Sequence, residues 1–570
     1  MKVSDYIVAF LAENQITDVF GYPGGMVTHL MESLDKYRDR VRAHVNYHEQ
    51  ASAMAACGWA EVTGLPGVAY ATSGPGATNL LTGIACAYFE SLPCMFITGQ
   101  VNTYEQKGTM GVRQRGFQET DIVSMAKPVT KDAFMVTEAE QVPAALESAF
   151  KTAMSGRRGP VLIDIPMNIF RGEIDALPRK VTLTEKNKEY QQEASEILAA
   201  LASAKRPVIL AGHGISLAGV REEFRALVDQ LQIPVVTSMI AVDVLPTDHP
   251  MNYGMIGAYG ARCANFIIDH SDCILTLGSR MDCRQTGVNK ALFAPNAKIL
   301  RVDIDEGELG NRTNADEQHF IADLKGLLPT LLKGAGEYDW NYPAWHDCCV
   351  KIAAVIREAE DLEPGNRFAK KLGQMLPDDL VITTDVGQNQ VWIAQSMGVK
   401  KNQRVLFSGG HGAMGYSLPA AIGAAAAGHR VVCVCGDGGL QMNIQELEFL
   451  VREQLPIKVV LLNNRALGMI HHFQEMYFNS NYMQTDARKG YTTPSFAEIA
   501  QAYGLNVISE DRLNEAFFTA PDPGFVEITL PETTHVFPKL GLNKPIHEQE
   551  PPLSRAVMDR LYEMIGEMTE

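Results

Sequence analysis

One segment, VVCVCGDGGLQMNIQELEFLVREQLPIKVVLLNNRALG from Val431 to Gly468, constrains the fold of this 570-residue chain more than any other. Its two apolar runs, Val431–Cys435 and Ile457–Leu462, predict short buried strands, and Gln441–Val451 predicts a helix between them. A strand, a helix and a second strand in this order form a right-handed unit with parallel strands. Ligands bind just beyond the carboxyl ends of such strands, so the turns after both strands are candidate binding sites.

Oxygen-bearing side chains occupy both of these turns. Asp437 lies in a Gly-Asp-Gly sequence after the first strand, and Asn463 and Asn464 follow the second. A lone aspartate in a glycine turn is usually an ordinary turn residue. Here Asp437, the Asn464 side chain and the Ala466 carbonyl would together supply three oxygen ligands of the kind that Mg²⁺ binds beside phosphates. Backbone amides and a helix start would contact a diphosphate at the adjoining glycines, Gly436, Gly438 and Gly439.

The net charge of −17 argues against nucleic acids and anionic membranes as partners, because either would require clustered Lys and Arg. No apolar run approaches the roughly 20 residues that span a bilayer, and charges interrupt the amino terminus, unlike a secretory signal. A cytoplasmic protein that acts on small molecules is therefore predicted. The ten cysteines lack paired CxxC spacing and are predicted to be reduced core thiols.

Alternating strand and helix signals recur three times, and polar segments at 171–194 and 334–366 separate them. The predicted fold class is α/β, with three doubly wound parallel-sheet domains. The second separator is expected to carry a helix at Val350–Glu360. The first and third units each contain a glycine-rich turn, TSGPGATN and SGGHGAMG, and are predicted to be alike in architecture. The predicted domains cover residues 1–175, 190–335 and 365–535, followed by a C-terminal arm over 536–570.

The GDG sequence, the 24 residues between Gly438 and Asn463, and the Asn pair resemble the signature of thiamine-diphosphate enzymes. Within that superfamily the chain is most similar to acetohydroxyacid (acetolactate) synthases. The resemblance implies a pyrimidine-binding, a central and a diphosphate-binding domain, and a homodimer or tetramer with active sites at the subunit interface. It rests on GYPGG (21–25), HEQASAMAACGWAEVTG (48–64), TSGPGATN (72–79), GFQET (116–120), GPVLIDIP (159–166), GSRMDCRQTG (278–287), TDVGQNQVW (384–392), SGGHGAMG (408–415) and QMNIQELEFL (441–450).

The same resemblance assigns a catalytic role to Glu49. The matching glutamate of the family hydrogen-bonds N1′ of the cofactor's aminopyrimidine and so promotes loss of the thiazolium C2 proton. By itself, a glutamate at a helix start could simply favour the helix dipole. In the family, the backbone carbonyl at the position of Gly412 accepts a hydrogen bond from the cofactor's 4′-amino group. The side chain at the position of Met414 holds the cofactor in its bent form. The other matches to cofactor contacts are Gly25, Pro75, Asn79, Gln388 and Asn389.

Three further residues match positions near the substrates. Phe117 and Gln118 correspond to residues that flank the reacting carbon, and Arg284 corresponds to an arginine that faces the acceptor's carboxylate, a role suited to a planar two-pronged donor. The acceptor pocket itself departs from the family pattern. A tryptophan becomes Phe473 and a Met-His pair becomes Ala258-Tyr259, and further changes give Met167 and His411. These changes predict an acceptor other than the usual 2-oxobutyrate.

The middle unit carries LAGHGIS (210–216) and LRVDID (300–305), which resemble flavin-binding elements of the family. A GxG sequence alone is weak evidence, since it often marks only tight strand-to-helix packing. Together with the retained GSRMDCRQTG stretch, the resemblance predicts that FAD binds; Lys127, which replaces a family arginine, argues against it. The flavin performs no net redox in this family. The matching residues are Gly212, Gly214, Arg280 and Asp303.

The leading hypothesis is an enzyme that decarboxylates pyruvate and joins the hydroxyethyl unit to a second carbonyl, with thiamine diphosphate and Mg²⁺ as cofactors. Acetolactate forms when the second carbonyl is pyruvate. One alternative is acetyl transfer to a keto-sugar nucleotide or another bulky ketone, and a second is a simple 2-oxo acid decarboxylase. A catalytically silent regulatory subunit is disfavoured, because Glu49, Asp437 and Asn464 are all intact.

Overall fold

A computed structural model describes residues 1–183, 188–314 and 316–568 of the chain. These residues form three parallel six-stranded sheets with helices packed around them, followed by a short antiparallel ribbon. The structure therefore confirms the predicted α/β class with three sheets. Within the described ranges, no helix is both long and apolar enough to cross a membrane.

The first sheet has the strand order β2-β1-β3-β4-β6-β5. Its strands are β1 (Asp18–Gly21), β2 (Arg42–Val45), β3 (Gly67–Ala71), β4 (Cys94–Gln100), β5 (Asp132–Met135) and β6 (Pro160–Pro166). The helices of this domain are α1 (Val3–Glu13), α2 (Thr28–Lys36), α3 (Glu49–Thr63), α4 (Pro75–Asn79), α5 (Leu81–Phe89), α6 (Ile122–Ala126), α7 (Val142–Met154) and α8 (Met167–Phe170).

The middle sheet has the order β12-β11-β10-β7-β8-β9. Its strands are β7 (Pro207–Ala211), β8 (Val235–Thr237), β9 (Asn252–Met255), β10 (Cys273–Leu277), β11 (Lys298–Asp303) and β12 (Glu317–Ile321). Its helices are α9 (Gln191–Ser203), α10 (Gly214–Ala218), α11 (Arg221–Leu231), α12 (Arg262–Asp269), α13 (Cys283–Thr286), α14 (Glu306–Leu309) and α15 (Leu324–Ala335), and α16 (Pro343–Ala359) follows in the second separator.

The last sheet has the order β14-β13-β15-β16-β18-β17, which is the order of the first sheet repeated. The predicted likeness of these two domains is therefore confirmed at the level of topology. Its strands are β13 (Val381–Thr384), β14 (Arg404–Leu406), β15 (Val431–Gly436), β16 (Ile457–Asn463), β17 (Asn506–Ile508) and β18 (Gly524–Thr529). Its helices are α17 (Pro364–Met375), α18 (Gln388–Ser396), α19 (Ser417–Ala426), α20 (Asp437–Met442), α21 (Glu446–Arg452), α22 (Gly468–Tyr477), α23 (Phe496–Ala502) and α24 (Glu515–Thr519).

In every sheet the strand order reverses between two neighbouring strands, and the crevice at such a reversal is where parallel sheets bind ligands. The reversals lie between β1 and β3, between β7 and β10, and between β13 and β15. Glycine-rich turns follow most of these strands, including GYPGG after β1, TSGPG after β3, GHG after β7 and GDGG after β15. In the first sheet, the pairing of β1 with β3 therefore brings the GYPGG and TSGPG turns side by side.

The helix predicted at Gln441–Val451 is broken in the structure. It begins earlier, at Asp437, ends at Met442, and resumes at Glu446 as α21. The break occurs at Asn443, whose φ and ψ of −133° and 32° are not helical. The Asn443 side-chain amide donates a 2.7 Å hydrogen bond to the Gly415 carbonyl, a distant partner that the local sequence pattern does not reveal.

The helix of the second separator is also longer than predicted, since α16 begins at Pro343. The arm forms a ribbon of β19 (Lys539–Leu540) and β20 (Gln549–Glu550) before α25 (Arg555–Glu567). It lies along the middle domain. The Leu540 amide donates to the Ala258 carbonyl at 2.6 Å, and the Asn265 side chain donates to the Ile546 carbonyl at 3.1 Å.

Helices α3 and α19 pack against each other and join the first domain to the last. Their contact surface consists of small residues. A methyl group added to Gly58 would overlap the Ala420 carbonyl oxygen, and one added to Gly423 would overlap the Ala55 carbonyl oxygen. The two backbones approach this closely only because glycine has no side chain at these points.

We expect Gly423→Ala to destabilise the protein by about 1–3 kcal/mol, the usual cost of forcing extra volume into a packed core. Denaturant unfolding would measure the change. The matched control is Gly566→Ala in α25, where an added methyl would lie more than 4 Å from the atoms of the described residues outside its own helical turn. That control should leave stability unchanged or raise it by up to about 1 kcal/mol, because alanine favours helix. Equal stability of the two variants would contradict the packing described for α3 and α19.

Candidate active site

Asp437 follows β15 directly and is 4% exposed. Its Oδ1 accepts a 2.9 Å hydrogen bond from the Gly438 amide, whereas its buried Oδ2 has no hydrogen-bond partner among the described residues. Burial raises the pKa of Asp437 to about 6, against the lowering effect of nearby amides and the Tyr491 hydroxyl. A buried carboxylate oxygen without a donor fits a cation ligand, because such an oxygen is otherwise costly to bury.

The two asparagines after β16 have different roles. Asn463 shapes the turn, since its Oδ1 accepts from the Arg465 amide at 2.9 Å and its amide donates to Glu527 at 2.7 Å. Asn464 is buried, and its amide donates to Gln388 Oε1 at 2.9 Å. Its Oδ1 is therefore directed away from Gln388. Arg465 has a φ of +57°, and this turn places the buried Ala466 directly after the pair.

The loop 408–415 lies beside the GDG turn. Gly412 in this loop has a φ of +70°, a conformation that favours glycine. The Met414 methyl lies against Gly438, where an added methyl group would be 2.9 Å from Met414 Cε. The structure thus brings the predicted cofactor residues of the last domain to one sheet edge; Gln388 and Asn389, both buried in the first turn of α18, also lie there.

Glu49 is the first residue of α3 and is 8% exposed. His48 caps this helix, because its Nδ1 accepts a 3.1 Å hydrogen bond from the Gln50 amide. The Asn79 side chain donates to Glu49 Oε2 at 2.9 Å, and a methyl group on Gly76 would lie 3.0 Å from Oε1. The short helix α4, which begins at Pro75 and is called the Pro75 turn below, therefore binds one carboxylate oxygen of Glu49 and packs against the other.

The remaining first-domain candidates lie around the same turn. Gln118 has a φ of +66° and packs on Gly74, where an added methyl would be 2.8 Å from the Gln118 Cβ. Phe117 next to it is 79% exposed. Gly25 begins a short turn whose next residue, Met26, donates its amide to Thr72 at 3.1 Å. Within the described parts of a single chain, no hydrogen bond joins these residues to Asp437, Asn464 or Met414.

Arg284 lines a small cavity between the middle and last domains. Tyr259 lines it too, with apolar walls that include Ile240 and Met255. Burial raises the pKa of Tyr259, and the neighbouring Arg284 partly opposes the rise. The other predicted pocket residues lie apart from this lining, namely Ala258, Phe473, Met167 and His411. Phe473 is 46% exposed on α22, and the Ala258 carbonyl is bonded to the arm.

A larger cavity lies at the reversal point of the middle sheet. Gly214, Arg280 and Asp303, three of the four predicted flavin contacts, line it. Gly212 does not, because it packs so closely on Gly278 that an added methyl would overlap the Gly278 carbonyl. Burial raises the pKa of Asp303. The first domain supplies part of the wall, through Phe89, Glu90 and Arg157.

Two residues at these sites escaped the sequence analysis. Asp385 follows β13 at the same crevice as Asp437, so its position after a buried strand was a usable signal. It accepts hydrogen bonds from Gly415 and Ser417. Glu90 accepts a hydrogen bond from the Gly410 amide across a domain boundary, and nothing in its local sequence indicates that contact.

Comparison with known proteins identifies all three domains. The N-terminal TPP binding domain, the central domain and the C-terminal TPP binding domain of thiamine pyrophosphate enzymes match residues 1–125, 194–331 and 385–528. Thiamine pyrophosphate is another name for thiamine diphosphate.

Whole-chain relatives agree with the domain matches. The acetolactate synthase isozyme 2 large subunit of Escherichia coli is 34% identical over 94% of this chain and 97% of its own length. The acetolactate synthase large subunit of Lactococcus lactis is 34% identical over 94% of both chains. The corresponding subunit of Corynebacterium glutamicum is 37% identical over 89% of this chain and 82% of its own. The chain therefore belongs to the thiamine pyrophosphate enzyme family, among relatives that are acetolactate synthase large subunits.

Proposed function

We propose that this chain decarboxylates pyruvate and joins the resulting two-carbon unit to a second 2-oxo acid, with thiamine diphosphate and Mg²⁺ as cofactors. The product is 2-acetolactate when the acceptor is pyruvate. One observation carries the proposal: the unpartnered, buried Asp437 oxygen lies at the edge that also holds Asn464 and the Met414 loop. The chain that carries it matches acetolactate synthase large subunits along nearly its full length.

The donor set after β15 and β16 suits Mg²⁺, which prefers carboxylate, amide and carbonyl oxygens. Asp437, Asn464 and the Ala466 carbonyl would hold the ion. The glycines of the GDG turn and the start of α20 would present backbone amides to the diphosphate. Gln388 and Asn389, in the first turn of α18, would complete the diphosphate site.

When bound, thiamine diphosphate supplies the electron sink for the chemistry, and the protein positions and polarises it. Glu49 holds or releases a proton at its carboxyl group, which Asn79 orients and burial keeps from water. Met414 and Gly412 would hold the cofactor's rings. Arg284 would bind the acceptor's carboxylate with its planar fork. Phe117 and Gln118 would flank the reacting carbon, at the edge of the Pro75 turn.

The cavity of the middle domain is proposed to bind FAD. Its position at a sheet reversal suits a dinucleotide, and Arg280 in its wall is a suitable partner for a diphosphate. Arg157, also in the wall, is bound to Asp305 and Glu308. Gly214 and Asp303 also line it, whereas Gly212 would act indirectly, through close packing on Gly278. The flavin would occupy a site separate from the Glu49 and Asp437 groups.

The active unit is proposed to be a homodimer, or a tetramer made of two such dimers. Glu49 and Asp437 lie in separate groups within one chain, and a second chain would bring the complementary group to each. Large apolar side chains around the sites are exposed in the single chain, including Phe117 at 79%, Met110 at 51% and Phe473 at 46%. Exposed apolar surface of this kind is typical of an interface between chains.

The first test is product analysis with pyruvate, thiamine diphosphate and Mg²⁺, for which we expect acetolactate. With 2-oxobutyrate also present, little preference between the two acceptors is expected, because one methylene is worth only about 0.8 kcal/mol and Phe473 is smaller than tryptophan. Phe473→Trp should raise the acetohydroxybutyrate share, up to roughly tenfold. Arg284→Ala should weaken the use of both acceptors while sparing pyruvate decarboxylation.

Acetaldehyde as the main product would instead identify a simple 2-oxo acid decarboxylase. A bulky ketone that restores pyruvate consumption, when neither oxo acid is accepted, would identify an acetyl-transferring enzyme. A strong preference of the unaltered protein for 2-oxobutyrate would contradict the predicted effect of Phe473 on acceptor choice, a residue that lies outside the lining of the Arg284 cavity.

Glu49→Gln should retain thiamine diphosphate but lower turnover by about 10²–10⁴-fold, the usual contribution of positioned proton transfer. Glutamine can still accept the hydrogen bond from Asn79, so the Pro75 turn should stay in place. Steady-state rates and calorimetric titration with the cofactor would separate the two effects. Glu13→Gln, at a half-exposed position on α1, is the matched control. Near-normal turnover in Glu49→Gln would rule out the proposed role.

Asp437→Ala should fail at an earlier stage, because it removes the only charged ligand that the proposed ion has. Calorimetry with Mg²⁺ and thiamine diphosphate should show at least a roughly hundredfold loss of affinity, as charged ligands contribute several kcal/mol. Asn463→Ala is the comparison, since Asn463 shapes the turn but donates nothing to the ion. Tight binding in Asp437→Ala would refute the metal site.

A further inference from the structure

The loop 408–415, which carries Gly412 and Met414, is held from two sides by buried carboxylates. Asp385 of the last domain binds the end of the loop, and Glu90 of the first domain binds its beginning. We propose that Asp385 and Glu90 are positioning residues that together fix this loop in the shape the cofactor requires. The inference rests on the thiamine diphosphate site proposed above, but not on any substrate or acceptor.

Asp385 lies directly after β13 and is completely buried. Its Oδ1 accepts a 2.9 Å hydrogen bond from the Gly415 amide. Its Oδ2 accepts from the Ser417 amide at 3.0 Å and from the Ser417 hydroxyl at 2.8 Å. Three donors from one short segment therefore converge on a single carboxylate, which binds the end of the loop and the start of α19 to the sheet edge.

Asp385 also contacts the GDG turn. A methyl group on Gly439 would overlap the Asp385 carboxylate, so the turn that carries Asp437 lies directly against it. Gly415 is held through its carbonyl as well, because Asn443 donates to that oxygen at 2.7 Å. The spacing between the Met414 side chain and the Asp437 carboxylate is thus set by contacts that meet at Asp385.

Glu90 caps α5 and is 5% exposed. Its Oε1 accepts a 2.6 Å hydrogen bond from the Gly410 amide, and the amides of Gly409 and His411 lower its pKa in the same way. Burial nevertheless raises the pKa of Glu90 to about 7. The Gly410 hydrogen bond crosses the domain boundary and ties the backbone of the loop to the C-terminal end of α5.

The first half of the loop fits closely around Phe89 and Glu90. The His411 ring stacks on Phe89 with 5.5 Å between the ring centroids and 1° between the ring planes. A methyl group on Gly410 would lie 2.9 Å from the Phe89 carbonyl, and one on Gly409 would overlap the Ile240 side chain. The glycines allow this approach, but they also make the free loop unusually flexible. An external clamp is therefore needed to hold Gly412 and Met414 in one conformation.

The test measures thiamine diphosphate binding and activation in the full-length protein with Mg²⁺. Asp385→Asn turns one acceptor oxygen into a donor that faces another donor. Glu90→Gln removes the negative charge from the group that accepts from the Gly410 amide, which weakens a charge-assisted hydrogen bond. Each should weaken binding by about tenfold or more and slow hydrogen–deuterium exchange at C2 of the bound cofactor at least about tenfold at saturation, since misplacement of about 1 Å can cost a factor of 10². Titration calorimetry would give the cofactor affinity, and NMR of quenched samples would give the rate of C2 exchange.

Asp269→Asn is the matched control. Asp269 is also buried and accepts a backbone hydrogen bond, from Ala294 at 2.7 Å, but it lies in the middle domain under the arm. It should lose thermal stability while both cofactor measurements stay within about twofold of the unaltered protein, as expected for independent sites. Ser417→Ala removes only one of the three donors to Asp385. It should show a smaller change in the same direction, and it keeps the test available if a carboxylate variant does not fold.

Asp385→Asn and Glu90→Gln proteins that lose stability but bind and activate the cofactor as well as Asp269→Asn would overturn the proposal. A normal Ser417→Ala protein, in the absence of folded carboxylate variants, would overturn it as well. C2 exchange requires neither pyruvate nor an acceptor. A chain that makes no acetolactate would therefore refute the proposed function and still allow the clamp to be tested.

Discussion

The close contact between α3 and α19 underlies the arrangement of the whole site. Gly58 and Gly423 let the two helix backbones touch, and no larger residue fits at either position. Glu49 is the first residue of α3, and Ser417, bound to Asp385, is the first residue of α19. The helix contact therefore fixes the catalytic candidate of the first domain relative to the cofactor loop of the last. A fold held this way has little freedom to adjust either residue independently.

Buried carboxylates mark the important junctions of the molecule, and the number of donors around each one separates their roles. Asp385 has three donors, and Glu446 accepts from the Tyr47 amide at 2.8 Å and from the Asn46 side chain at 2.9 Å. Carboxylates of this kind join separate segments of the chain to each other. Asp437 has one oxygen without a hydrogen-bond partner among the described residues, and the proposed Mg²⁺ would supply that partner. Burial raises the pKa of all three carboxyl groups. Hydrogen-bond donors of the chain offset the cost of burying Asp385 and Glu446, whereas only one oxygen of Asp437 has such a donor.

Local sequence patterns predicted the structure best at sites made of a strand and the turn that follows it. The strands that flank Asp437, the likeness of the first and third domains, and the position of Asp437 and Asn464 at one edge all follow from hydrophobic runs, glycine-rich turns and parallel-sheet topology. The same patterns predicted an unbroken helix from Gln441, which Asn443 interrupts to bond Gly415. The family resemblance predicted Gly212 as a flavin contact, but its tight packing on Gly278 keeps it out of the lining of the cavity proposed to bind FAD.

By itself, the sequence determined the α/β class, the three sheets and the residues at the edge of the last sheet, because these depend on periodicity and on turns a few residues long. The family resemblance added Glu49 and the remaining cofactor positions. Only the tertiary structure decided which of the two asparagines shapes the turn, that Glu90 reaches the Gly410 amide, and that Asp385 binds both Gly415 and Ser417. Apart from the local Asn463–Arg465 bond, these contacts join residues tens to hundreds of positions apart. Hydrogen-bond partners at such separations are chosen by the packing of whole helices and sheets.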